Sequence, residues 1–156
     1  MIRGKFLNGY TDDLSECYKI RRKVFIEEQQ VPEEEEFDHI DQNCGHYVIY
    51  NEFDIPVATG RLIRVDDDRF QIGRVATLKQ YRHKGYAEFL MLSMIEKVRS
   101  LGGKEISLLA QLPAVGFYEK CGFFVEKADI IMDAGIEHQS MKYIVGENHT
   151  CQCCGH

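Results

Sequence analysis

Apolar residues along this chain keep two rhythms, alternation and a three-to-four-residue step, and the switches between them mark its elements. Residues 2–7 carry a strand pattern closed by the turn dipeptide Asn8-Gly9. Leu14, Cys17, Tyr18, Val24 and Phe25 then recur at helical steps, which predicts a helix capped by Thr11 or Asp12 and running to about residue 28. Pro32 and the run Glu33-Glu34-Glu35-Glu36 interrupt it, and the chain up to Asn43 reads as a loop or a short second helix. Residues 46–50 and 56–65 predict two antiparallel strands joined near Asn51, and Asp66-Asp67-Asp68 turns into a third over 69–77. Ala87, Leu90, Met91, Met94, Ile95, Val98 and Leu101 share one broad helix face that ends at Gly102-Gly103. The two methionines read as core rather than as an adaptable pocket wall. Residues 105–110, 123–125 and 136–145 supply further strands. Three successive strands delivering the chain to a helix make an α+β layout rather than a regular βαβ repeat.

Between the third strand and the long helix lies Tyr81-Arg82-His83-Lys84-Gly85-Tyr86. A strand entering a helix through such a turn leaves the first helical N–H groups without internal partners, and the peptide dipoles add positive charge there. Arg74, Lys79, Arg82 and Lys84 follow one another without an intervening acid, on a chain whose net charge is -6. A basic island at a helix N-terminus points to phosphate. On these grounds alone, an ordinary turn with a solvated basic face fits equally well. Neither G-x-G-x-x-G nor G-x-x-x-x-G-K-[ST] occurs, so the dinucleotide fold and the NTPase phosphate loop fall away.

With 156 residues and 44% hydrophobic content, the chain is long enough for one buried core and too short for two typical domains. One domain over 1–146 and a separate tail over 147–156 are expected. No apolar run approaches the roughly 20 residues that span a bilayer. No signal-type segment follows Met1, so the expectation is a cytoplasmic protein without membrane partners. In that setting Cys17, Cys44 and Cys121 are expected to be reduced, and the sequon Asn148-His149-Thr150 has no acceptor role. The acidic balance argues against non-specific nucleic-acid binding. The tail crowds His149, Cys151, Cys153, Cys154 and His156 together, a soft set able to hold zinc or copper. It lacks a second C-x-x-C pair, so an incidental or redox-active tail, with no metal site, is the expectation.

Four segments carry a resemblance. Arg82-His83-Lys84-Gly85-Tyr86-Ala87 fits R/Q-x-x-G-x-G/A, and Phe117-Tyr118 with Gly122-Phe123 fits F-Y-x-x-x-G-F. Val24-Phe25-Ile26-Glu27-Glu28-Gln29 fits V-F-x-x-E-Q ahead of Pro32, with Glu27 where an apolar residue is more usual. Asp133-Ala134-Gly135-Ile136-Glu137-His138 is similar to E-A-G-I-P-H, with Glu137 in place of the proline. By these segments the chain, over about 2–146, resembles the GNAT family of N-acetyltransferases in its ElaA/YjcF-like branch. The resemblance implies an α+β GNAT fold: a mixed, mostly antiparallel central sheet, helices on both faces, and a splayed, V-shaped cofactor groove.

It also implies acetyl-CoA as the acyl donor and co-substrate. The backbone N–H groups of Arg82, His83, Lys84, Gly85, Tyr86 and Ala87 would hold its pyrophosphate, with Gly85 allowing close approach. Val75, Ala76 and Thr77 would run beside the pantetheine and acetyl group, and Gln111 would add a polar contact. Acyl transfer from a thioester to an amine demands a neutral amine, stabilisation of the developing oxyanion, and a proton for the departing thiolate. The resemblance gives these tasks in turn to Glu28 or His138 as base, to the Val75 N–H, and to Tyr118. On their own residue types, Glu28 and His138 are more often satisfied structural groups than catalysts.

The acceptor is expected to be a small-molecule primary amine rather than a protein lysine or N-terminus. The acids from Glu33 to Asp38 either draw a cationic amine toward the site or form a solvated loop. A homodimer is compatible with the chain, and the last strand could pair within its own subunit or with a neighbour. The other function classes are a catalytically idle acyl-CoA-binding sensor, a protein N-acetyltransferase, and a carrier for a metal or redox function of the tail.

Overall fold

Eight strands share one sheet in the computed structural model, which describes residues 1–146; the tail and its cysteines lie outside the described residues. They are β1 (Arg3–Asn8), β2 (Gly45–Tyr50), β3 (Pro56–Arg64), β4 (Arg69–Thr77), β5 (Glu105–Gln111), β6 (Phe124–Val125), β7 (Ile131–Asp133) and β8 (Ile136–Ile144). Their order is β1-β2-β3-β4-β5-β8-β6, with β7 also paired to β8. Every pairing is antiparallel except β4 with β5. A parallel pair needs a crossover, and helix α3 (Tyr86–Ser100) supplies it. The last strand pairs with β5, β6 and β7 of its own chain.

Alternation along β2 separates the two layers that cover the sheet. Tyr47 and Ile49 join the core under α3 with Leu90, Met91, Met94, Ile95 and Val98. Val48 and Tyr50 face the other way, onto Leu14 and Cys17 at the start of α1 (Ser15–Arg21). Met91 and Met94 are fully buried core, as expected. Helix α3 approaches the sheet closely because Gly60 of β3 has no side chain: a Cβ there would lie 2.8 Å from the Met94 sulfur.

The first helix differs from expectation at both ends. Neither Thr11 nor Asp12 caps it; the Asp12 carboxylate instead accepts from the Asn8 N–H at 2.7 Å, and Asp13 accepts from the Ser15 N–H at 2.9 Å. After Arg21 the coil widens into a π-helical segment, Arg22–Glu28, with the Gln29 N–H reaching back to the Val24 carbonyl at 3.1 Å. A short helix α2 (Glu33–Glu36) follows, and α4 (Val115–Lys120) comes after β5. Glu27 lies on the solvent side, 4.0 Å from Lys23. Among the described residues no helix is long and apolar enough to cross a membrane, and Cys17, Cys44 and Cys121 are free thiols.

Candidate active site

The parallel pairing of β4 and β5 lasts for three residues, Arg69 to Gln71 against Glu105 to Ser107, and then the strands part. Beyond Ile72 and Leu108 the two strand ends open a cleft of about 570 Å³. Its walls are the ends of β4 and β5, the start of α3, α4, the π-helical segment and the β7–β8 hairpin. Of the residues singled out in the sequence, Val75, Ala76, Thr77, Arg82, His83, Gly85, Tyr86, Ala87, Gln111, Tyr118 and His138 line this cleft. Lys84 and Glu28 do not.

At one end stands the turn into α3. His83 and Gly85 both take left-handed backbone conformations, φ 63° and 89°. No side chain caps α3, and among the described residues the N–H groups from His83 to Glu88 have no protein acceptor. The Arg82 N–H alone in this motif reaches a carbonyl, that of Lys79 at 3.4 Å. Free amides in a turn of this kind, on the positive end of a 15-residue helix, form an anion-binding concavity.

The basic island contributes less than its charges suggested. The Arg82 guanidinium donates to both Glu28 carboxylate oxygens at 2.7 Å and to the Thr77 carbonyl at 2.9 Å. Arg74 turns toward the acids of α2 and the following loop. The field at the turn therefore comes mainly from backbone amides, with Lys84 outside the lining.

Midway along the cleft β4 carries a bulge. Thr59 faces Ala76 and Arg61 faces Gly73, which leaves Arg74 and Val75 together opposite Gly60. Arg74 sits at φ 50°, the left-handed region. Its guanidinium donates to the carbonyls of Glu35 and Glu36 and to Asp38, and lies 3.2 Å from the Glu36 carboxylate. Behind it Arg21 and Arg61 complete a network with the buried Glu36 and Asp41 and the half-buried Asp38. Burial pushes the Glu36 carboxyl above its ordinary pKa even though Arg74 and Arg21 oppose the shift. Burial also works against Asp41, but Arg21 and Arg61 outweigh it and hold that carboxyl below its ordinary value.

Three of the five acids between Glu33 and Asp38 are neutralised in the same way. Glu33 pairs with Arg22, and Glu36 and Asp38 with the arginine network. Glu35 lines the cleft, exposed.

Tyr118 lies against the opposite wall, buried, with Phe117 and Phe123 packed edge-on at 5.1 and 6.0 Å. Among the described residues its hydroxyl has no hydrogen-bond partner. Burial raises its pKa well above the usual phenol range, with a smaller contribution from Cys121, so the phenol keeps its proton. His138 on β8 stands in register with Gln111 on β5. Its Nδ1 is 2.7 Å from the Ile136 carbonyl. A carbonyl only accepts, so Nδ1 carries the proton and Nε2 is the basic nitrogen of the neutral ring. The Gln111 amide donates to the Gln29 side-chain oxygen at 3.0 Å.

Glu28 is placed differently from the expectation. It is not part of the cleft lining and is tied up in the Arg82 pair, and that hydrogen bond is the main reason its carboxyl stays below the ordinary pKa. A carboxylate so held is a poor proton acceptor. Sequence reasoning missed the cleft residues Phe25, Gln29, Val31, Ala134 and Ile136. The π-helical turn brings in the first two, and the tight Ala134-Gly135 hairpin, both residues at positive φ, brings in the last two.

A sheet split between β4 and β5, a bulge just beyond the split and an uncapped helix start thus meet in one cleft. Residues 11–123 match the Acetyltransferase (GNAT) family. Bacillus subtilis YyaT is 37% identical over 141 residues, 88% of this chain and 93% of that protein. The uncharacterized N-acetyltransferase YjcF of the same organism is 34% identical over 130 residues, covering 83% and 91%. The crystal structure of Escherichia coli ElaA superposes with a TM-score of 0.79 at 24% identity, covering 92% of this chain and 99% of that one. The chain belongs to the GNAT acetyltransferase family, in its YjcF-like branch, and shares its fold with ElaA. Members of that family transfer acyl groups from acyl-CoA.

Proposed function

We propose that this protein is an N-acetyltransferase that moves the acetyl group of acetyl-CoA to a small primary amine by direct attack on the thioester. The observation that carries the reading is the run of unsatisfied amides from His83 to Glu88 at the head of a cleft that continues past the bulge to Tyr118.

In this reading the turn amides bind the diphosphate, Arg82 braces the turn from behind, and the pantetheine follows β4 past Thr77 and Ala76. The amine nitrogen attacks the carbonyl carbon, a C–N bond forms, and the carbonyl electron pair moves to oxygen. The Val75 N–H donates to that oxygen, a contribution worth about 10²–10³ in rate where single donors have been removed elsewhere. An alkylamine has a pKa of about 10.4, so its nitrogen must lose a proton near neutral pH. His138 Nε2, directly or through water, takes it. The oxyanion's electron pair then re-forms the C=O, the C–S bond breaks with its pair on sulfur, the Tyr118 hydroxyl donates to that sulfur, and the remaining ammonium-type N–H proton leaves to solvent as the amide forms. Burial raises the phenol pKa, so the hydroxyl acts here as a hydrogen-bond donor, and full proton transfer follows only so far as the apolar cleft raises the thiolate as well. The donor is an intracellular metabolite, so the reading includes the cytoplasmic setting expected from the sequence.

The test is thiol release from acetyl-CoA with polyamines, amino sugars, amino acids and lysine peptides as acceptors. Turnover on a small amine supports the proposal. Coenzyme binding with no turnover on any acceptor replaces it with the acyl-CoA sensor, and turnover confined to peptides replaces it with a protein N-acetyltransferase.

A further inference from the structure

We infer that Arg74 is a positioning residue: its side chain, clamped by Glu36 and Asp38, holds the β4 bulge so that the Val75 amide faces the thioester carbonyl. The inference rests on the acyl-transfer reading above.

Three observations converge on it. Arg74 adopts φ 50°, a conformation that is costly for any residue with a Cβ and that glycine would take freely. Its side chain offsets that cost with a full set of anchors: the carbonyls of Glu35 and Glu36 at 3.1 and 3.1 Å, Asp38 at 3.0 Å and the Glu36 carboxylate at 3.2 Å. Finally, Val75, the next residue, is in register with no residue of β3, and the β4–β5 pairing has already ended at Gln71. A left-handed residue rotates the following peptide out of the regular ladder, so the anchor that fixes Arg74 also fixes which way the Val75 N–H points.

The clamp is itself rigid. Glu36, buried, is held by Arg21 at 2.8 Å, and Asp38, half-buried, by Arg61 at 2.9 Å, so both ends of the Arg74 contact belong to a multiply bonded cluster. A lysine keeps the charge but lacks the planar fork that reaches two carbonyls and two carboxylates together.

The test uses the full chain, acetyl-CoA carrying ¹³C at the thioester carbonyl, infrared difference spectra of the bound carbonyl, and calorimetric affinity for free coenzyme A, which has no acetyl group. Arg74→Gly accepts the left-handed conformation and removes the anchor. It is expected to lose the downshift of the bound carbonyl band and to lower kcat by about 10- to 100-fold, with coenzyme A affinity within about threefold of the parent. Arg74→Lys is expected to fall between the two. A parent-like carbonyl band in Arg74→Gly overturns the inference. Should Arg74→Gly fail to bind coenzyme A, Asp38→Asn, which loosens the same clamp from outside the cleft, takes its place, and an unaltered band there overturns it equally. An unshifted carbonyl in the parent protein, with coenzyme A bound, instead overturns the Val75 assignment, and a parent that binds no coenzyme A overturns the transferase reading.

Discussion

The Arg82 guanidinium grips the Glu28 carboxylate through two hydrogen bonds of 2.7 Å and so joins the turn at the head of α3 to the π-helical segment, 54 residues away in sequence. Glu28 in this arrangement is a brace. Glu28→Gln is expected to lower kcat by less than about tenfold, whereas loss of a general base costs about 10²–10⁴. The pair also has a pH signature. A carboxyl whose folded pKa is depressed contributes stability that is complete above its unfolded value of about 4.3 and fades as the pH falls through the lower folded value. Thermal unfolding of parent and Glu28→Gln should therefore differ at pH 7 and converge at strongly acidic pH.

Gly85 holds φ 89° with open space where a Cβ would project, so a side chain there meets strain and no clash. Gly85→Ala is expected to cost about 1–2 kcal/mol, or about 2–8 °C in melting temperature, and to weaken coenzyme A binding by disordering the turn. Scanning calorimetry and coenzyme titration check both.

Tyr118→Phe leaves the packing against Phe117 and Phe123 intact and removes the hydroxyl alone. The expected outcome is a fall in kcat of about 10- to 100-fold with coenzyme affinity unchanged. Equal turnover of the two proteins removes Tyr118 from the chemistry.

His138→Gln keeps a polar side chain on β8 and loses the basic nitrogen. Its deficit should be large at pH 7 and shrink toward pH 10, where a growing share of the amine is already neutral. A deficit independent of pH assigns His138 a structural role.

The long amphipathic helix, the strands and the turn between β4 and α3 were legible because each rests on local spacing: the apolar stripe of α3 from Leu90 to Val98 lies in the core, while Leu101 at its end is exposed, and β2 feeds the cores on both faces. The long-range pairings were not. Arg74 and Arg82 read as one basic island along the chain, yet their acids lie 36 to 54 residues upstream. The apolar spacing in the sequence gives no mark of the change from α- to π-helix after Arg21, so Phe25 and Gln29 gave no sign that they face the cleft. Glu137, in place of a proline, pairs with Met132 in the short β7–β8 hairpin, and three-residue β7 was too brief to stand out by alternation. His138 and Gln111 meet through the β5–β8 register, which no single segment encodes.

Amide resonances of the ¹⁵N-labelled chain, followed during titration with coenzyme A and separately with pantetheine, test the central claim most directly. The account predicts that the amides of His83 to Glu88 move strongly with coenzyme A and stay in place with pantetheine, which lacks the diphosphate. Unmoved turn amides under saturating coenzyme A, or equal shifts with both ligands, would contradict it.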